Sequence, residues 1–370
     1  MLPQQILLTV PNLDPTASPW REAIGLARYL PAERYKLTIC ALREDGLEES
    51  TPLLEAMGVK CFVARFRPRG RGLRRLLESF KDGKRIKEHG PFDLQHSMDF
   101  TSSPFEAMMS RRQSRKFLFS QRNMNEDGHR SLLKLKVLFA SKIICVSEAV
   151  QHFMQGLSPV NKLVRVYPGL EMDHIPWRPD CQSQARPFKL LMVGQIERRK
   201  RFEDGLHVVA QLAHDLPDLR LDIAGRVVDP AYLGELKQLI QSHGLTERVT
   251  FLGPRNDIFD LMREADALLH TAESEAFGMV IIEAMAVGLP VIAPAIQGPQ
   301  EILEHQQSGL LVAPGDVPGY AAAVRRLVQK PELRFQLATN ARKRVETHFS
   351  ARRMAEEMAE VYASLLKAES

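Results

Sequence analysis

Two carboxylates eight positions apart, Glu275 and Glu283, lie in the most informative segment of the sequence, Thr271-Ala-Glu-Ser-Glu-Ala-Phe-Gly-Met-Val-Ile-Ile-Glu-Ala-Met-Ala-Val-Gly-Leu-Pro-Val-Ile-Ala293. An acidic loop of small residues runs into a helix expected from about Gly278 to Ala286. That helix is apolar nearly all round, so it should be buried. Glu283 stands in its middle, where a carboxylate is costly unless charge-assisted hydrogen bonds from vicinal hydroxyls or an arginine satisfy it. The amides of Phe277, Gly278, Met279 and Val280 come at the helix N-terminus, where unpaired donors and the helix dipole favour an anion. Gly278 would let a phosphate or a sugar approach the backbone closely.

A second cluster, Gly194-Gln-Ile-Glu-Arg-Arg-Lys-Arg201, follows an apolar run that ends at Val193. Four consecutive cations at the carboxyl edge of a sheet repel one another without a counter-anion, which a diphosphate would supply. The plainer alternative is an exposed basic turn paired with Glu197, Glu203 and Asp204.

The elements that must position these groups alternate from end to end. Short β-branched or leucine-rich runs at Gln5–Val10, Tyr35–Ala41, Val59–Val63, Asp93–His96, Lys116–Ser120, Lys142–Val146 and Val164–Gly169 read as strands, with helical patterns between them. The proline-rich stretch from Glu171 to Pro187 reads as a linker. The pattern restarts with Phe188–Val193, Leu219–Ala224, Val249–Leu252, Ala267–His270, Leu289–Ala293 and Gly309–Ala313. This is the signature of parallel α/β layering, and 370 residues exceed what one core usually serves. Two Rossmann-like, doubly wound domains are expected, 1–170 and 187–349, with a C-terminal helix at about 350–370 packing back on the first. Ligands should bind beyond the carboxyl ends of the strands, in a cleft across which the two domains face each other. No strand is followed by G-x-G-x-x-G, which argues against a nicotinamide-dependent dehydrogenase.

Charge is unevenly divided. Residues 1–170 hold 27 Lys and Arg against 17 Asp and Glu, and the remainder 23 against 28, so a net +5 conceals +10 and −5. Ten basic residues lie from Arg65 to Lys87 against only Glu78 and Asp82. Such a block suits an anionic membrane surface, or is merely a solvated helix face; nucleic acid is not expected, for lack of any recognised motif or stacking aromatics. The four cysteines form no metal-ligand spacing, so no metal site is expected, and they suit a reducing compartment. The apolar run Ile6–Val10 is too short for a signal sequence, and no stretch has the length of a membrane span. A cytoplasmic protein, or one held peripherally at the inner face of the membrane, is the expectation.

Taken together, these segments resemble the retaining glycosyltransferase family 4, whose members have the GT-B fold. Glu275 and Glu283 match its E-x7-E motif, and Glu283-Ala-Met-Ala-Val-Gly-Leu-Pro-Val-Ile-Ala matches the stretch that follows. Val249–Gly253, Gly298–Ile302, Ser308–Val312 and Tyr167-Pro-Gly169 extend the likeness, which is dense over roughly 140–350. The resemblance implies a hexosyltransferase type of enzyme in cell-surface polysaccharide or glycolipid biosynthesis, lipopolysaccharide or exopolysaccharide included. It would move a sugar, with retention, from a nucleotide-sugar co-substrate, uridine diphosphate-linked sugars among the options, to a glycan or lipid-linked acceptor. No cofactor or metal is implied. Carried over by position, the resemblance implies that Glu283 would bind the donor ribose, Glu275 would contact the transferred sugar, and Phe277, Gly278, Met279 and Val280 would offer amides to sugar and diphosphate. Lys200 matches the family lysine that neutralises the leaving diphosphate. The arginine that the family carries directly after Gly194 is Gln195 here, and Arg199 could supply the missing charge. The first loop lacks the family's glycine pair, so acceptor handling is expected to differ. His96, placed on the loop after its strand, and Arg122 are the acceptor-side candidates, though a lone histidine is more often a hydrogen-bonded structural residue. The alternatives are a non-catalytic nucleotide-sugar-binding or scaffold protein of the same fold, and a sugar-nucleotide epimerase.

Overall fold

The computed structural model describes residues 2–14, 17–64, 86–98, 101, 103–111, 114–124, 130–177 and 186–367. The basic segment from Arg65 lies outside the described residues as far as residue 85. The chain divides into two compact units, Met1–Glu171 with Ser350–Ser370, and Met172–Phe349.

In the first unit the strands are β1 (Gln4–Val10), β2 (Tyr35–Ala41), β3 (Lys60–Val63), β4 (Phe92–Ser97), β5 (Ser114–Gln121), β6 (Lys142–Cys145) and β7 (Leu163–Arg165). Its described helices are α1 (Ser18–Tyr29), α2 (Leu47–Ala56), α3 (Phe105–Ser110), α4 (Arg130–Phe139) and α5 (Glu148–Gln155). The sheet order is β3-β2-β1-β4-β5-β6-β7, with every pairing parallel. Helices on the faces of a parallel sheet leave no side of a central strand wet, which is why Ile6, Leu7, Leu8 and Val10 are all fully buried rather than alternating.

The second unit repeats the plan with β8 (Lys189–Val193), β9 (Arg220–Ala224), β10 (Val249–Gly253), β11 (Ala267–Leu269), β12 (Val291–Pro294) and β13 (Leu310–Val312). Its helices are α6 (Phe202–Leu212), α7 (Pro230–Ser242), α8 (Ile258–Glu264), α9 (Met279–Val287), α10 (Gln297–Ile302), α11 (Val317–Gln329) and α12 (Pro331–His348). The order β10-β9-β8-β11-β12-β13 is again wholly parallel. The strand order reverses at β8, whose neighbours are β9 and β11, so the loops after β8 and β11 emerge side by side at the carboxyl edge.

Helix α13 (Ala351–Leu366) returns to the first unit, where Met354, Ala355, Met358 and Tyr362 join the core that contains Trp20, Ala23 and Leu26. The strand expected over Val164–Gly169 stops at Arg165. Pro168 has no amide hydrogen for a ladder, and Gly169 passes the start of α13 so closely that a Cβ there would stand 2.5 Å from the Ser350 carbonyl oxygen. Among the described residues, no helix is long and apolar enough to cross a membrane.

Candidate functional site

The carboxyl edge of the second sheet brings the two sequence clusters together. After β8, Gly194 donates its amide to the Ala224 carbonyl at 3.0 Å, and Gly225 on the neighbouring loop lies so close that a Cβ there would be 1.7 Å from the Gly194 oxygen. The chain then makes a short 3-10 turn over Arg198–Lys200 and enters α6 through Arg201 in the left-handed region, φ 50°. Thr271, directly after β11 and the residue that follows it, clamps this turn: its hydroxyl donates to the carbonyls of Lys200 at 3.0 Å and Arg201 at 2.8 Å. The Glu273 amide donates to the Arg199 carbonyl at 3.0 Å.

The turn fans the four cations in separate directions, and each has its own acid. Arg198 takes Glu235 and Arg201 takes Asp204 in bidentate pairs. Arg199 donates to Glu197 Oε1 at 2.6 Å and to the Ser274 carbonyl at 2.9 Å. Lys200 Nζ reaches Glu275 Oε2 at 2.5 Å, with both side chains largely buried. So Glu197 and Asp204 do pair with the turn, whereas Glu203 accepts from the Tyr232 hydroxyl instead. Burial pushes the Glu275 carboxyl up, but Lys200, His270 and Arg199 together outweigh it and hold the group below the usual carboxylate range.

Beyond Glu275 the loop turns through Phe277 and Gly278. The Phe277 ring is buried against Phe349, centroids 5.7 Å apart, so its backbone is what the site can use. Gly278 has φ 115°, a conformation that side chains avoid, and gives α9 no side-chain cap. Amides of the first turn, at Met279 and Val280, are thereby left to a ligand or to solvent, with the positive end of the dipole behind them. Ile281 to Val287 are all buried, and Glu283 is 7% exposed in the second turn. At the far end Arg342 donates to the Ala286 carbonyl at 2.5 Å, closing the helix C-terminus.

Gln195 is exposed on the loop after Gly194. His270, the first residue past β11 and not singled out from the sequence, is buried with Nε2 3.6 Å from Glu275 Oε2. Its one signal in the sequence is position, for a histidine closing an apolar run stands at the carboxyl edge. Burial and the Lys200 charge push its pKa down to about 4.

The two acceptor-side candidates belong to the first unit. His96 is not on a loop: it pairs within β4 to Leu8 on one side and Leu118 on the other, and is fully buried. Its Nδ1 bonds the Tyr362 hydroxyl at 2.7 Å and its Nε2 the Ser120 hydroxyl at 2.8 Å, so both ring nitrogens are engaged internally. Burial pushes its pKa down to about 3. Arg122, just past β5, donates from Nη1 to Glu22 Oε1 at 2.6 Å in a largely buried pair. Among the described residues no group of three His, Cys, Asp or Glu side chains could hold a metal ion.

Residues 21–174 match the family model Glycosyltransferase Family 4, and residues 175–344 match Glycosyl transferases group 1. The lipopolysaccharide core biosynthesis glycosyltransferase LpsD of Rhizobium meliloti is 31% identical over 173 residues, 47% of this chain and 48% of that one. The N-acetyl-alpha-D-glucosaminyl L-malate synthase of Bacillus anthracis is 28% identical over 178 residues, 48% of this chain and 46% of that one. The alignable part is thus about half the length of these curated relatives. Among solved structures, Anabaena Alr3699/HepE in complex with UDP and glucose superposes with a TM-score of 0.82 at 24% identity, covering 98% of this chain and 100% of that one. A glycosyltransferase from Rickettsia africae gives 0.82 at 20% identity, covering 99% and 100%. At these identities the likeness concerns the fold.

Proposed function

The chain belongs, through both of its units, to the GT-B glycosyltransferases, and from that premise we propose that it transfers a sugar from a nucleotide-sugar donor, held by the second unit, to an acceptor hydroxyl with retention of configuration. The observation that carries this reading is the Lys200–Glu275 pair beside the uncapped start of α9, with Glu283 one turn further on. A cation, a row of free amides and two carboxylates fit a diphosphate flanked by hydroxyl-rich groups.

In the proposed reaction the bond between the anomeric carbon and the diphosphate oxygen breaks as the acceptor oxygen bonds to the same carbon from the same face. The acceptor proton passes to the departing phosphate. Lys200, Arg199 and the α9 amides stabilise the charge that develops there, and preorganised donors of this kind are the strongest single aid to such a step. Glu275 holds the hydroxyls of the transferred sugar and Glu283 those of the ribose. The scheme uses no resident cofactor or metal.

A uridine diphosphate sugar is the first donor to try, because Alr3699/HepE is described with UDP and with UDP-glucose. A glycan or lipid-linked acceptor in cell-surface polysaccharide synthesis fits the relative in lipopolysaccharide core biosynthesis. Peripheral attachment to an anionic inner membrane face, through Arg65–Lys87, belongs to the same proposal. Release of nucleoside diphosphate that depends on both donor and acceptor tests the reaction, and nucleotide binding without any release would favour a non-catalytic binding protein instead.

A further inference from the structure

His270 carries a buried ring nitrogen, Nε2, that has no hydrogen-bond partner. Such groups are rare in folded proteins and call for a reason. Nε2 lies 3.6 Å from Glu275 Oε2, too far for a hydrogen bond, and that same oxygen receives Lys200 Nζ at 2.5 Å. Two donors therefore converge on one carboxylate oxygen, and the lysine holds it. We propose that His270 is a positioning residue that takes over Glu275 Oε2 when Lys200 turns to a bound diphosphate.

The inference rests on the donor-site reading above, and its logic is electrostatic. A diphosphate carries more negative charge than one carboxylate, and so competes successfully for the ammonium group. Glu275, left buried without a partner, would then be driven to take up a proton and lose its hold on a sugar hydroxyl. The Nε2–H tautomer of a neutral His270 prevents this, because a closure of under about 1 Å brings the 3.6 Å separation into hydrogen-bond range. The backbone makes the exchange local. His270 is pinned by its amide to the Ile292 carbonyl at 2.9 Å, and Thr271 holds the turn that carries Lys200, so only side chains need move.

The test uses the full chain with UDP, GDP and ADP as probes. On saturation with whichever binds, the 15N signal of His270 Nε2, assigned through His270→Gln, should move as a new hydrogen bond forms. His270→Phe should weaken that nucleotide about tenfold, near 1.4 kcal/mol. His270→Gln, whose amide can donate from a similar reach, should recover most of the loss. Without nucleotide, His270→Phe should unfold no earlier than wild type, because an unsatisfied buried donor has been removed; a purely structural histidine would show the reverse. Equal nucleotide affinity in wild type and His270→Phe, or an Nε2 signal unmoved on saturation, overturns the exchange and leaves the donor reading intact. Failure of the wild type to bind any of the three overturns both. Should His270→Phe not fold, the wild-type Nε2 signal decides alone.

Discussion

Lys200 Nζ and Glu275 Oε2 stand 2.5 Å apart, joining the turn after β8 to the loop after β11. The pair holds the lysine ammonium group at the carboxyl edge of the sheet. Lys200→Ala is expected to lower the maximal rate 100- to 1000-fold, since one preorganised donor on a developing oxyanion is worth roughly 2.7–4 kcal/mol. It should also lower thermal stability, because it strands a buried carboxylate. Initial rates at saturating donor decide, and near-normal turnover would remove Lys200 from the diphosphate.

The same pair has a pH signature. With its folded pKa below the unfolded value, Glu275 contributes stability that is fully present above the ordinary carboxylate range and is lost as pH falls through the folded pKa. In Lys200→Gln burial, the largest influence on this carboxyl, is opposed far less, so the folded pKa rises and the variant gains stability as pH falls. The melting-temperature gap between wild type and Lys200→Gln should be widest near about pH 7 and narrow toward about pH 4. A gap independent of pH would mean that Glu275 does not depend on Lys200.

Gly298 donates its amide to the Glu275 carbonyl at 3.2 Å, and a Cβ at this position would stand 2.2 Å from the Phe277 carbonyl oxygen. The atoms that this Cβ would meet are all backbone atoms of Phe277, which cannot swing aside as a side chain can, so Gly298→Ala must displace the loop that carries Glu275 and Gly278. Nucleotide affinity and melting temperature should both fall. Gly234→Ala is the control: it lies inside α7 with nothing within 4 Å of the new Cβ, and should stabilise by roughly 0.5–1 kcal/mol without changing nucleotide affinity. If calorimetry finds the two variants alike, the tight fit at Gly298 has no bearing on the site.

Much of this arrangement was legible in the residues and some was not. The apolar strand runs and the buried helix around Glu283 follow from patterning, because a parallel sheet buries both faces of its strands. The sequence offers Lys200 and Glu275 each as a ligand group, but their contact is not readable from it. Arg198 to Arg201 have Glu197, Glu203 and Asp204 close by in sequence, and local spacing does not choose among those partners. Only the β8–β11 pairing sets the two loops side by side. The sequence reading ends the strand at His96 and sets its ring on the loop beyond, because a strand end has no sequence marker; the structure carries β4 on to Ser97 and buries His96 between β1 and β5, where it bonds a tyrosine 266 positions away.

That tyrosine gives a prediction for the first unit. Tyr362→Phe leaves His96 Nδ1 buried without its 2.7 Å partner and should cost about 1–3 kcal/mol, read from chemical denaturation. Nucleotide binding, which is assigned to the second unit, should not change. An unaltered denaturation midpoint would show that this bond does not anchor α13.

The central claim is that the start of α9 and Glu283 hold a nucleoside diphosphate. Isothermal titration of wild type and Glu283→Ala with UDP, GDP and ADP tests it most directly. One of the three is predicted to bind wild type with one-to-one stoichiometry and to give no measurable heat with a folded Glu283→Ala. Absence of binding to wild type by all three, or equal affinity in the variant, would contradict the account.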